Sequence, residues 1–166
     1  MIFNDSGSIV AESQSDVAEK RTDAITGHRS LFTKKNFKMN EVIATFYWDD
    51  IFPTPTYLTV QIGEDKHILL KPEYLDCINH SCDPNAFFDT TKKELVCVKP
   101  IKAGEQFTFF YPSAEWDMDQ AFQCQCGSSN CIGKIKGARY LSSDVLKNYR
   151  FTDYIKGKLA ARATEF

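Results

Sequence analysis

The chain has 166 residues, enough for one hydrophobic core of ordinary size and too few for two typical domains. Hydrophobic residues make up 43% and aromatics 13%, with thirteen Phe and seven Tyr, which excludes a disordered tract. The net charge of −2, without a basic run, excludes a dedicated nucleic-acid binder, and no stretch reaches the roughly 18 apolar residues of a membrane span.

At the N-terminus, MIFNDSGSIVAESQ lacks the basic-then-apolar order of a signal peptide, so an intracellular protein, cytoplasmic or nuclear, is expected. Residues 1–26 mix Ser, Asp, Glu and Ala with scattered apolar positions and predict a loose arm with one short strand around Ser8-Ile9-Val10. Two strands follow, at Leu31-Phe32 and at Val42-Ile43-Ala44-Thr45-Phe46-Tyr47-Trp48, both β-branched and aromatic. Beyond Pro53 and Pro55, the run Tyr57 to Ile62, the turn Gly63 to Lys66 and the return His67-Ile68-Leu69-Leu70 predict a hairpin. Further short strands are expected at 86–88, 95–98 and 106–110, separated by turn residues, so the domain is mostly β. Only the C-terminus reads as a helix, capped by Ser142, Ser143 or Asp144, with Val145, Leu146, Tyr149, Tyr154, Ile155 and Leu159 on its apolar side. That side could pack on the domain or on a second copy.

Six cysteines in an intracellular chain point to metal ligands or buried thiols rather than disulfides. Cys124, Cys126 and Cys131 form a C-x-C-x4-C pattern on a Gly/Ser/Asn-rich loop, where no strand or helix organises a core. A structural zinc site takes four N or S ligands, so the fourth must come from Cys77, His80, Cys82 or Cys97. Cys77 and Cys97 sit in apolar runs and read as buried thiols; the loop setting of Cys82 makes it the better candidate.

The segment Ile78-Asn79-His80-Ser81-Cys82-Asp83-Pro84-Asn85 closely resembles the N-H-S-C-x-P-N signature of SET-domain lysine methyltransferases. Farther on, Gly104-Glu105-Gln106-Phe107-Thr108-Phe109-Phe110-Tyr111 resembles that family's G-E-E-L-T-F-D-Y, and Phe122 to Gly133 resembles its post-SET cysteine segment. The resemblance runs from about Arg29 to Gly137 and implies small curved sheets, a pseudoknot and a zinc-binding post-SET loop, to which the residues add a C-terminal helix. It divides the chain into an N-terminal arm (1–26), a SET domain (27–117), a post-SET zinc segment (118–137) and a C-terminal helical extension (138–166).

The resemblance further implies a methyltransferase that uses S-adenosylmethionine (SAM) and one structural Zn2+ held by Cys82, Cys124, Cys126 and Cys131. Tyr111 matches the catalytic tyrosine; Arg29, Leu31, Asn79, His80, Tyr111, Phe122 and Ile135 match cofactor-binding positions, and Phe46 and Phe109 match the substrate channel. The expected acceptor is a lysine ε-amine of a protein, histone or non-histone, with the enzyme a monomer or homodimer. Alternatives are methyl transfer to a small molecule, suggested by the short stretch between Trp48 and Pro72, or a non-catalytic binding module. The chain departs from the family at His28-Arg29-Ser30, where G-x-G is usual, at Asp76, where an Arg is common, and at Phe110, where an Asp precedes the tyrosine.

Overall fold

The structure is a computed structural model that describes residues 8–165; the first seven residues of the expected arm lie outside the described residues. Three antiparallel strands open the chain: β1 (Ile9–Ser13), β2 (Ala18–Asp23) and β3 (Arg29–Thr33), in the order β1-β2-β3. The short strand expected around Ser8-Ile9-Val10 is β1, but residues 9–23 as a whole form a paired hairpin where a loose arm was expected. Their polar strands carry no apolar alternation to announce them, and the turns do the work. The Ser15 hydroxyl accepts from the Val17 and Ala18 amides, each at 3.2 Å, and an Asp23 carboxylate oxygen accepts from Ile25 and Thr26 at 2.8 and 2.9 Å. The Arg21 guanidinium lies 3.9 Å from the Phe32 ring centre, covering an aromatic face on β3.

After β4 (Val42–Thr45), a small sheet of β5 (Ile51–Phe52), β6 (Val60–Gly63) and β7 (Lys66–Ile68) forms in the order β5-β7-β6. The expected hairpin is β6–β7, turning at Asp65, whose φ is 49°. A short 3-10 turn at Glu73–Cys77 leads into β8 (Asn79–His80), followed by β9 (Ala86–Asp89), β10 (Glu94–Cys97) and β11 (Thr108–Phe109). These last four strands join β4 in a sheet of order β4-β10-β9-β11-β8.

That order contains the crossing on which the site depends. β8 and β9 are consecutive strands joined by the loop 81–85, yet β11 lies between them, parallel to both. The chain thus threads past its own loop, the pseudoknot that the resemblance implied, an exception to the usual avoidance of threading. Asn85 holds the crossing: its side-chain NH2 donates to the Gln106 carbonyl at 2.8 Å and its side-chain oxygen accepts from the Thr108 amide at 2.9 Å. Around this sheet the core gathers Leu31, Ile68, Leu75, Ile78, Phe88, Leu95, Ile101 and Phe107, all fully buried, each contributing about 1.5–3 kcal/mol of transfer free energy.

A final hairpin, β12 (Phe122–Gln123) with β13 (Lys134–Ile135), carries the cysteine loop. Gly137 follows at φ 129°, where a Cβ would lie 2.4 Å from the Trp116 carbonyl oxygen, so only glycine fits this crossing. The C-terminus forms two helices rather than the one expected: a single turn α1 (Ser143–Leu146) capped by Ser142, and α2 (Asp153–Ala163) capped by Thr152. The interruption is tertiary. Phe151 and Thr152 are buried, and the Thr152 amide donates to the Ser113 carbonyl at 3.0 Å, pinning the chain to the domain between the helices. Phe151 and Ile155 pack with Phe110 and Ala138, so the apolar side of the extension covers this domain.

Replacing Asn85 by Ala strands the Gln106 carbonyl and the Thr108 amide at a buried crossing. We expect a loss of about 2–4 kcal/mol in urea unfolding; a loss below about 0.5 kcal/mol would remove Asn85 from this role.

Candidate active site and metal centre

The ends of β8 and β11 open into a cavity of about 920 Å³. Asn79, His80, Phe109, Tyr111 and Phe122 line it, together with His28 and Ser30 from β3 and its approach, Val60 from β6, and Glu115. Of the other residues expected here, Leu31 is fully buried in the core and Phe46 packs edge-on against Phe88, which in turn packs against Phe109; neither lines the cavity. Ile135 is buried opposite Phe122 on the β12–β13 hairpin and supports that ring from behind. The Arg29 side chain turns away to Asp76 at 3.5 Å, while its carbonyl accepts from the Asn79 side chain at 2.8 Å. The same Asn79 NH2 donates to the Ser30 hydroxyl at 3.0 Å, so the β3 segment that departs from the glycine pattern is stitched directly to β8.

His80 and Tyr111 are locked to each other. The His80 Nδ1 accepts the Tyr111 backbone amide at 3.1 Å, which leaves Nε2 to carry the ring proton and point at the Cys82 sulfur, 3.4 Å away. Burial pushes the His80 imidazole down to about 4, so it is neutral at ordinary pH. The Tyr111 hydroxyl, 3.4 Å from the Ile78 carbonyl, is pushed by burial up to about 12 and stays a neutral phenol. Around the Tyr111 ring stand those of Phe109, His80 and Phe122, with ring centres 4.7, 5.2 and 5.9 Å away, an aromatic wall.

The sulfurs of Cys82, Cys124, Cys126 and Cys131 all lie within 4.8 Å of one another. Cys82 and Cys124 are 3.9 Å apart. Four sulfurs around a zinc ion at about 2.3 Å form a tetrahedron with edges of about 3.8 Å. The cluster could therefore bind one metal ion, and its donor set is consistent with a closed, structural zinc site. Cys82 comes from the loop 81–85 and the other three from the β12–β13 hairpin, so an ion here ties the hairpin to the crossing. Cys77 and Cys97 are buried away from the cluster, the first bonded to Asp76 and the second to the Lys99 carbonyl.

Several groups at the site carry no sequence signal. Tyr149 donates to the Cys82 carbonyl at 2.7 Å and stacks on Phe110 with ring centres 3.6 Å apart, and Asn130 donates to the same carbonyl at 2.8 Å. Glu115 is 8% exposed, lines the cavity, and accepts the Gln61 amide at 3.1 Å. Burial pushes its carboxyl up to about 8, against the partial relief of that one hydrogen bond. A lone acid among small and aromatic residues, Pro112-Ser113-Ala114-Glu115-Trp116, was the only hint available in the sequence.

A family model described as SET domain matches residues 14–112. The chain is 41% identical over 112 residues to a protein of Aspergillus flavus named methyltransferase flvH, a match covering 66% of this chain and 62% of that protein. It is 46% identical over 66 residues to the histone-lysine N-methyltransferase Set2 of Drosophila melanogaster, covering 36% of this chain and 3% of that protein. An H3 lysine-36 specific histone-lysine N-methyltransferase of Chaetomium globosum is 28% identical over 130 residues, covering 64% of this chain and 14% of its own length. The chain thus spans less than two thirds of the length of each of these relatives.

Elemental analysis should find one zinc per chain, falling well below half occupancy in Cys124→Ser; a metal-free purified protein with intact fold would contradict the site. Glu115 makes a second, pH-dependent prediction. Its folded value, about 8, lies above the 4.5 of an ordinary glutamate, so the unfolded chain loses this proton first. Its contribution to stability is present below the ordinary value and is lost as pH rises toward about 8. Thermal melts of wild type against Glu115→Gln should show the variant gaining relative stability from pH 5 to 8; parallel curves would show the group is not protonated in the fold.

Proposed function

From the premise that this chain belongs to the SET-domain family, whose methyltransferases use SAM, we propose that it is a SAM-dependent protein-lysine N-methyltransferase. The observation that carries this reading is the position of Tyr111: the crossing brings it together with Asn79, His80 and Phe109 around one cavity. Bound SAM would supply an electrophilic methyl group. Asn79, His80 and Phe122 would form the wall against which the cofactor lies, with His28 and Ser30 at its other end.

The acceptor amine must be neutral to attack, and a channel of Phe109, Val60 and Leu70 disfavours its charged form by excluding water. Tyr111 Oη orients the amine and the transferring methyl; with no acid or base of suitable strength required of a neutral phenol, its contribution is positioning. Cys82, Cys124, Cys126 and Cys131 would hold one Zn2+ with no open coordination position, so the metal closes the pocket and takes no part in the chemistry. Phe109 offers no hydroxyl to hold a water beside the amine, which leaves room for an amine already methylated, and we infer products beyond monomethyl-lysine. The substrate protein is expected to present an exposed lysine, as the histone substrates named for the relatives do.

A second reading, methyl transfer to a small molecule, is favoured by one observation. The segment between β4 and β8 folds into the small β5-β7-β6 sheet and one 3-10 turn, a limited surface for gripping a polypeptide. The size of the labelled product separates the two readings.

With radiolabelled SAM and protein extract, wild type should label protein and Tyr111→Phe should be slower by about 100-fold or more. Label confined to metabolites would select the second reading, and equal labelling by the variant would remove Tyr111 from the mechanism. Mass spectra of the product should include dimethyl-lysine.

A further inference from the structure

We propose that Glu115 is a specificity-determining residue whose carboxylate captures the acceptor in its cationic alkylammonium form as it enters the cavity, before the amine gives up the proton that attack requires, an inference that rests on the methyl-transfer reading of that cavity. The carboxyl is more than nine-tenths buried and faces the cavity from the side of β6, where its Oε1 meets the Gln61 amide. Only burial and that hydrogen bond act on it; no cation is paired with it among the described residues. Nor does any Lys or Arg line the cavity among the described residues, and its other acids are the exposed Asp119 and Asp76, which Arg29 already occupies.

A purely structural role does not require the charge. Gln61 itself shows this, since its side-chain oxygen accepts the Trp116 amide at 3.0 Å and so braces the same two segments with a neutral amide. A Gln at 115 would accept the Gln61 amide equally well. Keeping a carboxyl there places an acid in a poorly hydrated wall without a partner, which destabilises the fold and is offset once a cation enters. Both partners of a methyl transfer to nitrogen bring positive charge to this cavity: the acceptor amine, an ammonium ion in water at neutral pH, and SAM, a sulfonium, which Asn79, His80 and Phe122 would hold. An amine probe isolates the acceptor's share. The titratable side chains that share the cavity with Glu115 are His28, Tyr57, Asp76, Tyr111, Asp119, Cys124 and Cys126, besides His80, which burial holds neutral.

The test uses the full chain loaded with zinc, with butylammonium chloride as the probe and butanol, of equal length and uncharged, as the control. In calorimetry at pH 8, wild type should bind butylammonium at least about tenfold more tightly than butanol, and Glu115→Gln should lose that preference without losing butanol binding. Wild type that binds both equally overturns the proposal without any variant, and so does a folded Glu115→Gln that keeps the preference. In turnover assays the KM for the accepted amine, whether a free alkylamine or a lysine peptide, should rise at least about tenfold in Glu115→Gln, while kcat falls less; an unchanged KM overturns the proposal. Butylammonium binding is read without methyl transfer, so the two readings fail separately. Glu115-dependent binding in a protein that transfers no methyl group would reject the methyltransferase reading alone, and turnover with Glu115-independent binding would reject this one alone.

Discussion

β11 reaches its place only by passing between two strands that are already joined to each other, and side chains hold it there. β8 and β11 pair over just two residues each, too short a ladder to fix register on its own. Asn85 supplies the missing bonds on one side, to Gln106 and Thr108, and His80 supplies one on the other, to the Tyr111 amide. The two residues lie in one short segment, Asn79 to Asn85, on either side of the loop that β11 passes. Fixing the crossing therefore fixes the end of β11, and with it Tyr111.

The same segment anchors the rest of the chain. Cys82 gives its sulfur to the cysteine cluster and its carbonyl to Tyr149 and Asn130, so the β12–β13 hairpin and the C-terminal extension converge on one residue. Phe110, where relatives usually carry Asp, is the stacking surface for Tyr149. The substitution exchanges a polar group before the tyrosine for an apolar dock, and the extension that covers Phe110 is what makes the exchange tolerable in water. At the other end of the cavity, Asp76 and Arg29 form a pair, so the acid found where an Arg is common has a cation across from it.

These contacts leave a cavity whose chemistry is set by what is withheld from it. Its His80 imidazole and Tyr111 phenol are neutral, and it has no Lys or Arg in its wall among the described residues. In such a wall the buried Glu115 carboxyl has a long reach, because burial keeps it from the water that would screen it. The cavity is thus suited to groups that arrive positively charged and leave that charge, or keep it, at defined points.

Much of this was legible in the residues themselves. The β-rich order, the β6–β7 hairpin and the clustering of Cys124, Cys126 and Cys131 follow from alternation, turn residues and ligand spacing, which are local properties, whereas the distant fourth cysteine, Cys82, came with the family resemblance. The three motifs carried the family, and with it the pseudoknot, since a crossing between segments distant in sequence leaves no periodic mark. What the residues alone could not decide is which side chains face the cavity. Leu31 and Phe46 stand at motif positions but point into the core, whereas Glu115 and Gln61 belong to no motif and meet across the cavity wall. Beyond the short strand at Ser8-Ile9-Val10, the pairing of β1 with β2 leaves no mark in the sequence, because it rests on turn bonds and on a partner strand, not on a buried face. The break between α1 and α2 comes likewise from Ser113, far away in the chain, which takes the Thr152 amide. Sequence determines which groups are available and how they can pair with near neighbours; only the folded chain decides which of them share a space from which water is excluded, and it is there that their charges and hydrogen bonds acquire their strength.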